Sequence, residues 1–385
     1  MIADSMPTRS YGVLLVSFSK HSHQPSFVPL YLQHPDTEIV AVADEVDIDP
    51  QLATENERWA RELGVPYIVG IDEALKCDDV DLVSIGHEIE RRSDIAVRSA
   101  RSGKHLWIDK FLGATVSECD AAVEAIEENR VKAIVPSFAY GQLVRQSRRV
   151  LETGAIGELL GLHIDIMFGK GKPRAIPPSN RSVPFLPPGR WKFPDVKREL
   201  LTIGAYAVGL IQACCDSIVE VCGHGGAHFF PEQAAHGTED CGSLTLVDSK
   251  GRTNSLCAAR IGTAAHMAGG PARAWLVGTE SSVLVDSKRP ALDSYLRSDI
   301  VDGNYEPSAL DPMQWHSGPP TFSKPISSDT AGLACGLDDF ISAIAEDRPP
   351  LYSARQAREL VEILIAGYWS IVEGRPVTLP LTDRS

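Results

Sequence analysis

Four short apolar runs, at residues 13–16, 38–44, 80–86 and 104–110, are separated by polar stretches with helical character at 54–63 and 93–102. Nearly continuous apolar runs of this length fit strands buried on both faces, and the intervening helices supply the cover, so the pattern predicts a parallel sheet of α/β type. Thr115-Val-Ser-Glu118 is a capping box, and good helix formers continue it through 119–129. A further strand reads from Val131 to about Pro136, and the first domain is expected to span 1–138.

The pattern then changes. A helix is expected over 142–152, stopped by the glycines of "TGAIGE", followed by a strand at 158–168. A proline-rich, basic loop fills 169–194, and 200–213 reads as a single helix. Apolar or alternating segments at 243–248, 253–260 and 273–285 follow one another without helices between them, which predicts a mostly antiparallel sheet. Residues 286–330, rich in Asp, Pro, Ser and Gly, are expected to be extended loops. The last helix opens on the capping box Ser353-Ala-Arg-Gln356, repeats apolar residues at Leu360, Leu364, Tyr368 and Val372, and stops at Gly374 before Pro376. It reads as a packing helix without chemistry, and the second domain is expected over 139–385.

A chain of 385 residues with 43% hydrophobic and 23% charged residues suits a soluble two-domain protein. The net charge of −14 argues against a nucleic-acid partner and against an anionic membrane surface. No apolar run reaches membrane-spanning length, and "MIADSMPTRSYG" lacks a signal pattern. The eight cysteines are scattered and form no CxxC pair. A reduced, cytoplasmic protein is expected.

In a nucleotide-binding fold, a glycine-rich turn should follow the first strand. Here that turn is Ser17-Phe18-Ser19-Lys20-His21-Ser22, and no glycine occurs between Gly12 and Gly64. Serine is the next smallest polar choice, tolerates a strained backbone at roughly 1 kcal/mol per position, and its hydroxyl can donate to phosphate. Lys20 and His21 add positive charge where a pyrophosphate would sit. Pro25 and Pro29 predict that the first helix starts late or irregularly. Asp44 ends the second strand 22 residues after Ser22, the place of an acid that binds ribose hydroxyls and favours NAD over NADP. The alternative is an ordinary strand–helix loop with Asp44 as a cap.

"GKHLWIDKFLGATVSECDAAVEA" (103–125), "LETGAIGELLGLHIDI" (151–166), "RWKF" and "RELLTIGAYAVGL" (190–210), "DDFISAIAEDRPP" and "AGYWSIVEGRPVTLPL" occur in that order along the chain. Together they resemble segments of the glucose–fructose oxidoreductase, inositol dehydrogenase and MocA-like (Gfo/Idh/MocA) family, across nearly the whole length. The resemblance implies an N-terminal Rossmann domain, a C-terminal α/β domain with a large open sheet, a nicotinamide cofactor, and assembly through that sheet as a dimer or tetramer. It places the family's glycine motif on residues 17–22, its next cofactor segment on His87-Glu88-Ile-Glu-Arg-Arg92, its EKP on Asp109-Lys110-Phe111, and the tryptophan of its second-domain motif on Trp191. The acid and histidine of the family's catalytic helix fall on Thr202 and Tyr206.

Lys110, just past a strand end, is expected to orient a substrate hydroxyl or carbonyl. Tyr206, four residues after Thr202 on one helix face, would exchange the proton, its phenol made more acidic by the neighbouring ammonium. Thr202 would hydrogen-bond the substrate. Lys170, Lys172, Arg174, Arg181, Arg190 and Lys192 make the 169–194 loop basic, which fits either an anionic sugar-type substrate or a solvated loop. His21 and His23 read as cofactor-loop or substrate-facing residues and His87 as a neighbour of the nicotinamide. His224, His228 and His236, near Glu232, Glu239 and Asp240, match no metal signature, and no metal is expected. No GxSxG elbow supports a hydrolase. The leading expectation is an NAD-dependent oxidoreductase acting on a secondary alcohol or ketone of a sugar, cyclitol or polyol. The alternatives are redox-neutral glycoside cleavage that uses bound NAD, and a non-catalytic binding or partner subunit.

Overall fold

The computed structural model describes residues 10–136, 138–169, 176–181, 192–193, 196–261, 272–287, 291–296, 322–325 and 332–382. The first half alternates β1 (Tyr11–Val16), α1 (Gln24–Gln33), β2 (Thr37–Asp44), α2 (Pro50–Leu63), β3 (Tyr67–Val69), α3 (Ile71–Ala74), β4 (Leu82–Ile85), α4 (Ile89–Arg101), β5 (His105–Ile108), α5 (Val116–Glu128) and β6 (Ala133–Ile134). All six strands run parallel in the order β3-β2-β1-β4-β5-β6. This is the doubly wound Rossmann order, whose crevice opens beyond the C-terminal ends of the central strands. Val13, Leu14, Leu15 and Val16 are all fully buried, as strands covered on both faces require.

Local signals account for the helix boundaries. Thr115 and Glu118 close the expected capping box on α5. The Asp49 side chain accepts from the Gln51 amide at the start of α2, and Gly64 ends that helix at φ 71°. α1 begins at Gln24, two residues past the serine loop, and continues through Pro29 instead of breaking there. β3 and α3 carry no strong pattern and are additions to the expected plan.

The second half contains α6 (Gln142–Glu152), β7 (Leu159–Phe168), β8 (Lys192–Phe193), β9 (Val196–Lys197), α7 (Glu199–Thr202), α8 (Gly204–Cys214), β10 (Ile218–Gly226), α9 (Pro231–Ala235), β11 (Cys241–Asp248), β12 (Thr253–Arg260), β13 (Ala272–Gly278), β14 (Ser281–Asp286), β15 (Ala291–Leu296), β16 (Phe322–Pro325), α10 (Gly332–Ala345), α11 (Ala354–Glu373) and β17 (Val377–Thr378). Nine of its strands form one sheet, β16-β15-β14-β13-β7-β12-β11-β10-β17, in which only the β7–β12 pair is parallel among the described strands.

The apolar segment 273–285 forms two strands that meet at Thr279-Glu280. Two expectations are corrected here. The expected loop 286–330 contains β15 and β16, whose polar residues pair antiparallel and extend the sheet. The expected helix 200–213 breaks at Ile203, so Thr202 and Tyr206 lie on two successive short helices.

The C-terminal helices tie the two sheets together. Phe340 of α10 reaches fully buried Trp107 of β5, ring centroids 6.0 Å apart, beside Phe27 and Tyr31 of α1. Arg355 and Arg358 of α11 pair with Glu127 and Asp120 of α5. α11 has the expected capping box and ends at Gly374, φ 64°. None of the eight cysteines is in a disulfide. No helix among the described residues is long and apolar enough to cross a membrane.

Candidate functional site

The C-terminal ends of β1, β2, β4 and β5 deliver residues 17–23, Asp44, residues 86–88 and Asp109-Lys110 to one edge of the parallel sheet. Two hollows lie there. A groove of about 690 Å³ is bordered by Phe18, Ser19, Lys20, Ser22, Asp47, Asp49, Gln51, His87, Glu88 and Arg91. A cavity of about 220 Å³ is bordered by Ser19, His21, His23, Glu88, Arg92, Lys110 and Phe111 on the first-sheet side, and by Lys197, Glu199, Thr202, Tyr206 and Arg260 on the other. Ser19 and Glu88 border both, so the two hollows meet at those residues.

Three amides of the serine loop are bonded within the protein. Ser17 takes the left-handed conformation, φ 65°, that a glycine would otherwise supply; Ser19 and Ser22 do not. The Ser17 amide donates to the Ala43 carbonyl, the Phe18 amide to Asn56 Oδ1, and the Ser22 amide to the Ser19 carbonyl. At the start of α1 the Gln24 amide donates to Ser22 Oγ at 2.8 Å, Pro25 has no amide hydrogen, and the Ser26 amide donates to the His23 carbonyl. A helix N-terminus usually presents such donors to an anion. Here much of the first turn is already bonded within the protein. Close packing of loop against strand is supplied from the opposite side: a Cβ on Gly86 would lie 2.6 Å from both the Ser17 carbonyl oxygen and Ser22 Oγ.

Asp44 is turned inward. Its side chain is fully buried, accepts from Asn56 Nδ2 at 2.7 Å and from the Glu45 amide at 2.8 Å, and lies 3.2 Å from His87 Nε2. Burial pushes its pKa up, but the contacts with His87 and Ser17 outweigh it and hold the carboxyl below its ordinary range. Asn56 links Asp44 to the Phe18 amide, and the Phe18 ring stacks on Trp59 of α2 at 4.6 Å. His87 Nδ1 accepts from the Glu88 amide at 2.7 Å, which leaves its Nε2–H to face Asp44. Four other carboxylates border the groove: Asp47, paired with Arg91 at 2.6 Å, Asp49, which caps α2, Glu55 and Glu88.

The smaller cavity is built across the two sheets. Lys110, joined to Phe111 by a cis peptide bond, extends its Nζ to the Thr202 carbonyl at 3.1 Å. The same ammonium lies over the Tyr206 ring, 4.3 Å from its centroid. It therefore meets the face of the ring, where the expectation had it activating the phenol. Phe138 packs edge-on against the Tyr206 ring at 5.8 Å. The Thr202 hydroxyl donates to Glu199 Oε2 at 2.9 Å, and Arg260 pairs with Glu199 Oε1 at 2.5 Å. Asp109 lies beneath the cavity, fully buried, beside Arg92 and His23.

Of the residues expected to bear chemistry, Ser19, His21, His23, Glu88, Lys110, Thr202 and Tyr206 border the smaller cavity, and Phe18, Ser19, Lys20, Ser22, His87 and Glu88 border the groove. Ser17, Asp44 and Asp109 lie buried behind them. Trp191, with Lys170, Lys172, Arg174 and Arg190 of the basic loop, lies outside the described residues. Sequence reasoning missed Glu199, Lys197 and Arg260. A charged residue at the very end of a strand, as Arg260 is on β12, was the available signal. Among the described residues no cluster of His, Cys, Asp and Glu could hold a metal ion.

Residues 21–137 match the family model described as an oxidoreductase family with an NAD-binding Rossmann fold. Among curated proteins, a glycosyl hydrolase family 109 protein of Shewanella pealeana is 27% identical over 168 residues, 42% of this chain and 35% of its own. The scyllo-inositol 2-dehydrogenase (NAD(+)) of Bacillus subtilis is 24% identical over 264 residues, 66% of this chain and 68% of its own. For the first three curated relatives the chain spans only 35%, 29% and 37% of their lengths. The aldose-aldose oxidoreductase of Caulobacter crescentus has the same fold, with a TM-score of 0.72 at 17% identity over 96% of this chain and 100% of that one. So has a levoglucosan dehydrogenase solved with NADH and L-sorbose, with a TM-score of 0.69 at 18% identity over 97% of this chain and 100% of that one.

Proposed function

We propose that this chain, which belongs to the Gfo/Idh/MocA family of oxidoreductases, is an NAD-dependent enzyme that interconverts a secondary alcohol and a ketone on a sugar, cyclitol or related polyol. The observation that carries the reading is the convergence of Lys110, Glu199, Thr202, Tyr206 and Arg260 on one cavity that meets the larger groove at Ser19 and Glu88.

The groove fits a dinucleotide in place and in size. It lies at the C-terminal ends of β1, β2 and β4, where nucleotides bind in open parallel sheets, and its volume is in the range of small-molecule sites. Lys20 and the Ser22 hydroxyl, which only accepts from the Gln24 amide, would meet the phosphates, while the Ser19 hydroxyl is spent on the Gly86 carbonyl. Asp47 and Asp49 on the rim would meet a ribose and disfavour a 2′-phosphate. Asp44 would act one layer below, holding the loop in shape through Asn56. When bound, the nicotinamide supplies the hydride acceptor or donor.

In the smaller cavity Lys110 donates to the substrate oxygen and stabilises the charge that develops there. Glu199 and Arg260, already paired, present an acceptor and a forked donor that suit adjacent hydroxyls. Thr202 positions Glu199, and Tyr206 forms the wall under the ammonium. The relatives named as inositol dehydrogenases support a polyol. Lys197 and Arg260 leave room for an anionic one.

The test is differential scanning fluorimetry with NAD, NADH and NADP, followed by NADH formation on a panel of inositols and aldoses. The reading predicts a melting-temperature rise with NADH and turnover on at least one polyol; no response to any coenzyme overturns it. The relatives named glycosyl hydrolase family 109 favour a second reading, redox-neutral glycoside cleavage. Release of p-nitrophenol from a p-nitrophenyl glycoside without net NADH would select it.

A further inference from the structure

His23, the residue after the serine loop, is held in a way that neither the family signature nor the site described above uses. Its Nδ1 lies 2.9 Å from Asp109 Oδ1, and its own amide donates to Asp109 Oδ2 at 2.9 Å. The same carboxylate accepts from the Lys110 amide at 2.8 Å and from Arg92 at 3.2 Å. Asp109 is fully buried, whereas the His23 side chain is 45% exposed and borders the smaller cavity. Four donors converge on this carboxylate, and although burial works against it, Arg92 and His23 hold its pKa down at about 2. It is an acceptor only, so Nδ1 must carry the hydrogen of that bond, and Nε2 is left as a lone pair on the cavity side.

We propose that His23, fixed by Asp109, is the proton-exchanging group of the cavity, with its Nε2 taking the hydroxyl proton of the substrate. This rests on the dehydrogenase reading. In the oxidative direction the substrate O–H bond breaks and its proton passes to Nε2, the carbinol hydrogen leaves as hydride to the oxidised nicotinamide dinucleotide, and a C=O bond forms. In reduction the imidazolium returns the proton to the ketone oxygen. The geometry favours His23 over Tyr206 for this task, because Lys110 addresses the face of the Tyr206 ring. Lys110, which shares the Asp109 turn with His23, orients the same oxygen.

Other titratable groups face His23. From the first sheet they are Asp109, Arg92, Lys110, His21 and Glu88; across the cavity they are Lys197, Glu199, Arg260 and Tyr206. His23→Gln isolates the contribution of the imidazole and keeps the amide contact to Asp109.

The tautomer is read first, in the full-length protein without ligand, from ¹⁵N–¹H correlation spectra of the imidazoles, with His23→Gln assigning the signal. The proposal expects hydrogen on Nδ1 and a lone pair on Nε2 at neutral pH; hydrogen on Nε2 alone overturns it. Turnover with myo-inositol, scyllo-inositol and NAD is read second. His23→Gln should lower kcat by about 10²–10⁴-fold and remove the acid limb of the pH profile, with NADH affinity within about twofold of the parent. An unchanged limb with only a lower melting temperature makes His23 structural and overturns the proposal. If no polyol reduces NAD, the dehydrogenase reading fails by itself, and the tautomer still decides the dyad.

Discussion

The two ends of the cleft use the same residue types in opposite ways. At the smaller cavity, polar groups on the first-sheet side stand out from a buried support: His23 above Asp109, and Lys110 beside it. At the larger groove they turn inward. Asp44 accepts from Asn56, whose oxygen accepts from the Phe18 amide; His87 Nε2 lies 3.2 Å from Asp44, and the Ser22 hydroxyl occupies a donor at the start of α1. The amides of Ser17, Phe18 and Ser22 are bonded to Ala43, Asn56 and Ser19, and are therefore not presented to a ligand as a glycine loop presents its own. The difference predicts a protein whose chemistry is firmly built and whose coenzyme is held by fewer backbone contacts and more side chains.

The sharpest way to separate the two ends is Lys110→Met. Turnover should fall by about 10²–10⁴-fold, the range for losing a group that acts on the transferring proton or its oxygen, while the NADH-induced melting shift persists. Loss of both together would mean that the ends are not distinct. Asp44→Ala should destabilise the fold by about 3 kcal/mol in urea denaturation, because it leaves buried Asn56 and His87 without their partner. Weaker coenzyme binding with stability unchanged would instead put Asp44 at the ribose.

Acid titration should show the support beneath the cavity. Asp109 has an unfolded pKa of about 3.9 and a folded one of about 2, so the unfolded chain binds more protons between those values. Its stabilisation is complete above about pH 4 and is lost as the pH falls toward 2, an effect of about 2 kcal/mol that Asp109→Asn should remove from the unfolding free energy measured across this window. The smallest effect is expected at the groove. Lys20→Ala should weaken NADH about tenfold in calorimetry with kcat at saturating coenzyme little changed, as for one charge-assisted contact.

The sequence made the fold legible wherever a local rule dominates. The capping boxes at Thr115 and Ser353, the stop at Gly374 and the buried runs of β1, β2, β4 and β5 each carry their own signal. β15 and β16 were hidden because their strand character comes from pairing, β15 with β14 and β16 with β15, and not from apolar alternation. The break at Ile203 was hidden because 200–213 is mostly apolar and holds no proline; Gly204, where the second helix begins, was its local signal. In the site, Lys110 and Tyr206 could be located from motif spacing, but the approach of the ammonium to the ring face depends on packing between the two sheets. Asp44 was found at the right strand tip, yet its inward turn depends on Asn56, 12 positions away on α2, and on His87 beyond β4.

Calorimetric titration of the purified protein with NADH tests the central claim most directly, because every role given to the cavity presupposes a nicotinamide beside it. The account predicts saturable binding at one site per chain, weaker in Lys20→Ala and preserved in Lys110→Met. No heat and no change in melting temperature at millimolar NADH and NADPH would contradict it.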